Sequence, residues 1–545
     1  MKLVVNSNNL VDERFGSGTA GSILASKLVE AFQKFTQTRG PCFQREQALP
    51  GLCLSQNQYL QVLRSRWQPK CFLPSCYTSN PHILILEAGP QMSWFQRKLS
   101  DIPLASSLLF GVGIDRIHKT VPQTTSAAGL KNKQLLLPTG RMLGGTAMLN
   151  AMIFSFGNHE DESSKRFHSW DPHFFSELFK INEPVAGCQL RPEPVRRHPI
   201  TQKLHSALSN IFEALGLPVI DKSDGWTSEG LHTPLIPTES RSIFQVLIDP
   251  RSEGTILGVK ADSRGVSLKI LLKTPRIPMN DATISPEVIL SAGTFETPAI
   301  LLRSGIGTSG VSVLAQTSAL TSIAYLRTSL QRLHNFSRPD IQFTFIAAAV
   351  FEQEIFRTLG HFSDSVWRHF LPPAGQGLKN TIIILVSLLE PASRGHVQLD
   401  PLSLQSSETA QPEVDPAFFS VASDMERMVE AVSWLYSILT GHKAFVSSVD
   451  QPSLLPPIQM TSRGLEAFRA LGARLHIPTY PGCPAPPSNQ ETSNDQHSGV
   501  SKRWRQFFGC LIQSITISNY HFVGTCPVTA GQEKNIRSVV SPNLK

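Results

Sequence analysis

The sequence predicts an α/β fold, because three segments that are far apart in the chain each combine a small-residue turn with an apolar strand or helix pattern. These segments are residues 15–30 (FGSGTAGSILASKLVE), 138–158 (PTGRMLGGTAMLNAMIFSFGN) and 286–307 (PEVILSAGTFETPAILLRSGIG). Glycine at such turns permits backbone conformations and close approaches that a Cβ would prevent. At 545 residues the chain is long enough for two domains of ordinary size.

The first turn has the spacing of a dinucleotide-binding motif. Gly16, Gly18 and Gly21 stand at G-x-G-x-x-G spacing and are followed by an apolar helical face. In this motif the glycines permit a tight turn, an approach to a pyrophosphate and close packing of helix on strand. The amides that open the helix would face the phosphates, where the helix dipole favours an anion.

Glu87 supplies the acidic residue that this motif requires. It ends the apolar strand pattern HILILEAGP at residues 82–90, where a carboxylate would bind ribose hydroxyls. Gly21 and Glu87 are 66 residues apart, whereas the fold expects about 20. Residues 31–80, which are basic, rich in cysteine and without a periodic pattern, account for the excess. We therefore interpret residues 31–80 as an insertion.

The strand that should lead into the first turn is weak in the sequence. The preceding residues, VNSNNLVDERF, lack the continuous apolar run of a buried parallel strand. We expect this first strand to be frayed or absent.

For the third segment, the pattern VILSAG predicts a strand, and Thr297-Pro298 predicts the first turn of a helix, where proline is tolerated.

The second and third segments resemble the two signature segments of the glucose-methanol-choline (GMC) family of flavin-dependent alcohol oxidases and dehydrogenases. The resemblance implies FAD as cofactor and an FAD-binding Rossmann-like domain at residues 11–310. It also implies an α+β substrate domain, built on an antiparallel sheet, at residues 311–545. Residues 190–240 would contribute to that second domain, and residues 518–545 would return to the first.

The resemblance also implies which residues contact the cofactor. In addition to the first turn and Glu87, they are Met142, Gly144, Gly145, Asn150, Ala151, Met152, Ile153, Ile243 and Gly293. Ile243 opens a pattern that is similar to the hairpin on the adenine side. Met142 and residues 150–153 would contact the flavin through their backbone.

His521 is the candidate catalytic base. It lies in YHFVGTC at residues 520–526, which resembles the family segment YHPVGTC with Phe522 in place of proline. An imidazole can accept the proton of an alcohol while hydride leaves for the flavin. The family has a second histidine or asparagine further along the chain, and the sequence ends at Lys545 before that position. We therefore expect this partner residue to be missing. The family's G-x-N-L-x-D-H segment is also altered, since Ala324–Asn335 lacks its glycine and aspartate.

Composition excludes several other classes of function. The formal charge of +8 is concentrated in residues 31–80, and no basic stripe interleaved with aromatic residues indicates a nucleic-acid groove. The eight cysteines lack paired zinc-type spacing, so no metal site is predicted. The apolar runs are too short to cross a bilayer. The amino terminus lacks a secretory pattern, so either the protein stays inside the cell or its true start is missing.

Together the motifs predict oxidation of a small-molecule alcohol or sugar by hydride transfer to FAD, with a quinone-like acceptor or oxygen completing the cycle. The insect-type glucose dehydrogenases of the family are the most similar group. A truncated or degenerate relative without catalytic activity is the main alternative. A nicotinamide dehydrogenase would share only the first glycine turn.

Overall fold

A computed structural model describes part of the chain in detail. The described residues are 3–7, 10–15, 18, 20–21, 82–84, 89–90, 92–100, 108–150, 152–153, 192–195, 199–223, 228–237, 289–303, 322–348, 356–370, 381–399, 412–440, 480–487 and 501–526.

The described residues form fifteen strands and seven α-helices. The strands are β1 (Leu3–Ser7), β2 (Leu10–Phe15), β3 (His82–Leu84), β4 (Asp115–Lys119), β5 (Leu136–Gly140), β6 (Pro192–Pro194), β7 (Val219–Ile220), β8 (Gly230–His232), β9 (Leu235–Pro237), β10 (Ile289–Leu290), β11 (Ser322–Leu326), β12 (Ile341–Ala348), β13 (Thr381–Leu388), β14 (His396–Leu399) and β15 (Pro412–Asp415). The α-helices are α1 (Trp94–Ser100), α2 (Pro199–Ala214), α3 (Gly293–Arg303), α4 (Ser329–Leu333), α5 (Asp364–Phe370), α6 (Ala422–Thr440) and α7 (Lys502–Ile515).

The first sheet has the strand order β10-β2-β1-β3. Strand β2 is formed, contrary to the expectation of a frayed or absent strand. It pairs in parallel with β10, so the chain leaves both strands at the same edge of the sheet. Strand β1 pairs antiparallel with both β2 and β3. Only Asn8 and Asn9 separate β1 from β2, and so short a connection favours an antiparallel hairpin. The Rossmann-like prediction accounts for the parallel pair and not for β1.

Helix α3 begins earlier than the sequence predicts. It starts at Gly293, so Pro298 lies inside the helix and not in its first turn. The first residue has a φ of 85°, a left-handed conformation that glycine adopts without strain. Proline lacks an N–H, and Pro298 therefore cannot donate to the carbonyl of Thr294 four residues earlier.

A second sheet carries the largest core in the described residues. Its strand order is β13-β12-β11-β8-β7, with antiparallel pairs except for the parallel pair β7–β8. Ile341, Phe343 and Phe345 alternate along β12 and are buried on one face. Helices α2, α6 and α7 supply the other side of this core, which includes Trp434 at 0% exposure.

Helix α7 shows why these helices form where they do. Ser501 caps its amino end, because the hydroxyl accepts a hydrogen bond from the amide of Trp504 at 3.5 Å. Its buried residues recur at helical spacing and form one apolar stripe: Trp504, Phe507, Phe508, Leu511 and Ile512. The stripe packs on α6, where Tyr436 contacts Trp504 at a ring-centroid distance of 4.9 Å.

Buried charges beside this core are paired. Asp340 is fully buried and accepts hydrogen bonds from the Thr328 amide at 2.7 Å and the Thr328 hydroxyl at 2.5 Å. Arg427 lies 3.5 Å from Asp340 and 2.7 Å from Asp424. Asp424 also accepts from the amides of two residues that follow β13. Because each charge has partners, the cluster ties α6 to the sheet.

Two further features complete the fold. Cys483 and Cys510 form a disulfide that links residues 480–487 to helix α7. The cysteine spacing in the sequence did not predict this bridge. Within the described part of the chain, no helix combines the length and apolar character needed to traverse a bilayer.

Candidate functional site

The structure describes most of the predicted site residues. Gly18, Gly21, Met142, Gly144, Gly145, Asn150, Met152, Ile153, Gly293 and His521 belong to the described part of the chain. Gly16, Glu87, Ala151 and Ile243 lie outside it.

The first and second glycine turns contact each other through their backbones. A Cβ built on Gly145 would lie 2.9 Å from the Cα of Gly18. A Cβ built on Gly140, at the end of β5, would lie 2.3 Å from the carbonyl carbon of Gly145. Gly144 and Gly145 have φ angles of 93° and 58°. Side chains are therefore excluded at this junction, and the two turns form one surface.

The end of the strand pattern at residues 82–90 packs against the backbone just before the second glycine turn. A Cβ built on Gly89, two residues after Glu87, would lie 1.8 Å from the carbonyl oxygen of Arg141. It would also lie 2.6 Å from the amide nitrogen of Met142. The backbone at Gly89 therefore packs directly against Met142, which the resemblance assigns to flavin contact.

A small apolar cluster supports this turn from below. Met142 is fully buried and packs with Leu109, Ile114, Met148 and Leu149. Beyond the cluster, the Asn150 side chain accepts a hydrogen bond from the Met152 amide at 3.0 Å. Met152 has a φ of 65°, so this bond stabilises a backbone conformation that is unfavourable for its side chain.

Open space borders the first and third turns. A Cβ built on Gly18 or on Gly293 would meet no atom of the described residues within 4 Å. Gly18 lies in the turn that follows β2. Gly293 follows β10, the strand that pairs in parallel with β2. Phosphate-binding glycines need free space of this kind at the carboxyl edge of a sheet. The residues present therefore fit a dinucleotide cofactor such as FAD.

His521 lies next to the third turn. The Thr294 hydroxyl donates to the carbonyl of Phe522 at 2.6 Å, and the Thr525 hydroxyl donates to the carbonyl of Thr294 at 2.7 Å. On the other side of His521, the ring of Tyr520 lies 6.4 Å from that of Phe110. Phe110 packs against the cluster under Met142. The segment that carries His521 thus contacts the surroundings of both the second and the third turn.

The electrostatic surroundings favour a neutral imidazole at His521. Its side chain reaches solvent, but the protein that surrounds it lowers its pKa below the ordinary value of 6.5. Among the described residues, none forms a hydrogen bond with the ring. Burial raises the pKa of the Tyr520 phenol, which stays protonated. A neutral imidazole with accessible nitrogens can accept a proton.

A recess lies on one side of the same segment. Its lining comes from β13, the residues between β15 and α6, the start of α6, and residues 516, 517 and 519. Asn519 borders it and donates through its side chain to the Ser387 hydroxyl at 3.0 Å. Most of the lining is apolar, and its polar members are Ser387, Ser393, Asp424, Thr516 and Asn519. The recess therefore provides space for a small molecule next to Asn519, which precedes His521 by two residues in the chain.

Sequence reasoning missed His118, which lies in β4. It is 6% exposed, and its Nε2 has no hydrogen-bond partner among the described residues. Its ring packs on Phe295, at a centroid distance of 4.8 Å. Desolvation and the nearby Arg116 lower its pKa to about 3. No motif surrounds this residue, and only the three-dimensional packing identifies it.

His334 and Asn335, at the altered family segment, follow helix α4 and are exposed. Within the described residues, no group of histidine, cysteine and carboxylate side chains could hold a metal ion.

The carboxyl-terminal part of the chain matches a protein family. Residues 391–545 match the family model described as GMC oxidoreductase. This match includes helix α7 and the segment that carries His521.

Known proteins and solved structures agree with that match. The chain is 22% identical to the Drosophila melanogaster protein "Neither inactivation nor afterpotential protein G", over 84% of this chain and 80% of that protein. It is 27% identical to the Drosophila melanogaster "Glucose dehydrogenase [FAD, quinone]", over 41% of this chain but only 39% of that protein.

The crystal structure of a formate oxidase shares the fold, with a TM-score of 0.55 at 14% identity over 97% of this chain and 90% of that one. The match over residues 391–545, these relatives and the shared fold together show that the chain is similar to the GMC oxidoreductases.

Proposed function

We propose that this chain oxidises a primary alcohol or sugar hydroxyl, with His521 as the catalytic base and FAD as the hydride acceptor. A quinone-like compound or oxygen would then reoxidise the cofactor. The observation that carries the proposal is the contact between the His521 segment and the third turn, through Thr294 and Phe522. With the segment held there, a neutral imidazole would lie near the open space at Gly293.

The cofactor would be held mainly by backbone groups. Gly16, Gly18 and Gly21 would face the pyrophosphate, and Glu87 would bind ribose hydroxyls. Met142, Gly144, Gly145 and residues 150–153 would border the flavin ring, Ile243 the adenine side, and Gly293 the third turn. When bound, FAD supplies a two-electron acceptor for the carbinol hydrogen.

The protein's own contribution is to orient the substrate and to move a proton. A ring nitrogen of His521 would accept the hydroxyl proton, because its lowered pKa leaves it unprotonated at neutral pH. The recess beside Asn519 would hold the remainder of the substrate and exclude water from it. General-base catalysis of this kind contributes about 10²- to 10⁴-fold to a rate.

The glucose dehydrogenase among the relatives supports the choice of substrate class. Identity to that protein extends over less than half of it, so glucose itself is one member of a panel and not the assigned substrate. The panel should include sugars, choline and aromatic and long-chain alcohols.

The test is the visible spectrum of the purified chain. We expect a bound oxidised flavin whose absorbance bleaches when an effective alcohol is added without oxygen. His521→Ala should retain the flavin and slow the bleaching by about 10²- to 10⁴-fold, whereas the exposed His334→Ala should behave as the wild type. A colourless protein would contradict the proposal and support the degenerate, non-catalytic relative.

A further inference from the structure

Phe522 differs from the proline at the corresponding position of the family motif, and the structure shows what replaces it. The Phe522 ring lies 4.8 Å from the ring of Phe295, tilted by 47°. Phe295 is 1% exposed and contacts His118 at the same centroid distance. Aromatic pairs at this separation stabilise by about 0.5–1.5 kcal/mol beyond the burial of their area. The side chain after His521 is therefore anchored in a buried aromatic cluster.

Thr294 provides a second anchor through reciprocal hydrogen bonds. Its hydroxyl donates to the Phe522 carbonyl at 2.6 Å, and its own carbonyl accepts from the Thr525 hydroxyl at 2.7 Å. In an uninterrupted helix that carbonyl would accept from the amide of residue 298. Residue 298 is proline, so the carbonyl is left for Thr525.

The residues before His521 are restrained as well. The Tyr520 amide donates to the Ser518 hydroxyl at 3.0 Å, and Asn519 donates to Ser387 at 3.0 Å. By contrast, the neighbouring Val523 is 60% exposed. Restraint is thus concentrated on the residues on either side of His521.

We propose that Thr294, Phe295 and Phe522 form a clamp that positions His521 for proton transfer. The positioning role depends on the function proposed above, whereas the clamp itself depends only on the contacts. A proline at position 522 would fix φ through its ring. Here the aromatic packing and the Thr294 bonds supply that restraint. Misplacement of a reacting group by about 1 Å costs up to about 100-fold in rate.

The first experiment compares Phe522→Ala with its matched control Val523→Ala. Flavin reduction by an effective alcohol is followed without oxygen over a range of substrate concentrations. We expect Phe522→Ala to lower the limiting rate by about 10- to 100-fold, with substrate affinity and flavin content near those of the wild type. Phe522→Pro should restore most of the rate. Val523→Ala should change none of these quantities.

A second pair tests the hydrogen bonds on helix α3. Thr294→Val removes the donor to the Phe522 carbonyl, and Thr294→Ser keeps it. Thr297→Val, one turn further along the helix, is the matched control. We expect a reduced rate only in Thr294→Val. Equal rates in all three variants would overturn the role of Thr294.

Cys526 gives a readout that needs neither flavin nor substrate. It is a half-buried free thiol at the end of the described segment. Its alkylation rate, measured by peptide mass spectrometry, should rise in Phe522→Ala and Thr294→Val and stay constant in the two controls. If the wild type reduces no flavin, the proposed function fails while this contrast still tests the clamp. Unchanged alkylation overturns the clamp, and faster alkylation with an unchanged reduction rate overturns its positioning role.

Discussion

The two halves of the molecule are held together by different means. Around Gly18 and Gly145 the chain packs backbone on backbone, and the supporting apolar cluster under Met142 has five buried residues in the described part. Around Trp434, buried side chains from a sheet and three helices form a far larger core. In the first region the absence of side chains lets the backbone segments pack closely, which fixes their relative positions. The second gains stability because they are present.

This difference has a functional meaning. A surface made of glycine backbone leaves space next to the protein, and a bound cofactor can fill that space and stabilise the native state. A side-chain core needs no ligand to bury its area. We therefore expect the cofactor side to depend on FAD for stability and the substrate side to be independent of it.

Removing the central side chain of the second core should have the largest effect on stability. Trp434 is fully buried, and its ring lies 5.8 Å from that of Phe343 in a stacked arrangement. Trp434→Ala should lower the free energy of unfolding by about 3–5 kcal/mol, as measured by chemical denaturation. The control is Trp94→Ala, since Trp94 is 74% exposed. Similar losses in both variants would contradict the core assignment.

Removing the disulfide should have the next largest effect. Cys483 and Cys510 are separated by 27 residues, and closing a loop of that size stabilises by about 3 kcal/mol. We expect the double variant Cys483→Ala/Cys510→Ala to unfold at correspondingly lower denaturant concentration. Cys526→Ala, which removes a free thiol, serves as the control. A double variant as stable as this control would show that the bridge does not form.

A single methyl group added at Gly18 should weaken cofactor binding without lowering stability. The methyl group of Gly18→Ala meets no atom within 4 Å in the described part of the chain, so the chain without cofactor should be as stable as the wild type. Its flavin affinity should nevertheless fall by about 100-fold, or about 2.7 kcal/mol, because the Cβ occupies cofactor space. Flavin titration by fluorescence measures this loss.

Gly145→Ala is the informative counterpart of that variant. Its Cβ would approach the Gly18 backbone at 2.9 Å, and the residue has a φ of 58°. It should be destabilised with or without flavin. If Gly18→Ala binds flavin normally, the first turn does not face the cofactor.

The smallest expected effect concerns His118 and pH. Its pKa is about 3 in the folded protein and near 6.5 when unfolded. Between these values the unfolded chain binds a proton that the folded chain excludes, so stability falls as the pH is lowered through this window. From pH 7.5 to 5 the loss should be about 2 kcal/mol.

His118→Leu should remove this part of the pH dependence, and the exposed His334→Leu should not. Free energies of unfolding at several pH values provide the measurement. Parallel curves for the wild type and His118→Leu would show that the imidazole is protonated in the folded protein.

Local patterns in the sequence predicted the elements whose chemistry is local. The passage from β10 to α3 was predicted from an apolar run and turn residues, and so was the glycine turn at Gly144. The sequence could not predict the hairpin strand β1, because it depends on which strand edge is available. Neither could it predict the Cys483–Cys510 bridge or the position of His118, which depend on packing between distant segments.

The candidate site shows the same limit. The sequence showed the motif around His521 but did not predict that this segment contacts Thr294 and Phe295. The start of α3 was predicted from Pro298, and proline tolerance in a first turn gave the wrong residue. The helix starts at Gly293 because glycine accepts the left-handed conformation there.

The hydrogen bond from Thr525 to the Thr294 carbonyl has a consequence for biosynthesis. Its two partners are 231 residues apart. A ribosome adds about 5–20 residues per second, so helix α3 emerges tens of seconds before the residues that dock on it. Until then the carbonyl that Pro298 leaves unpaired faces water or a chaperone. Completion of the site therefore awaits translation of the segment around Thr525, however early the glycine turns have formed.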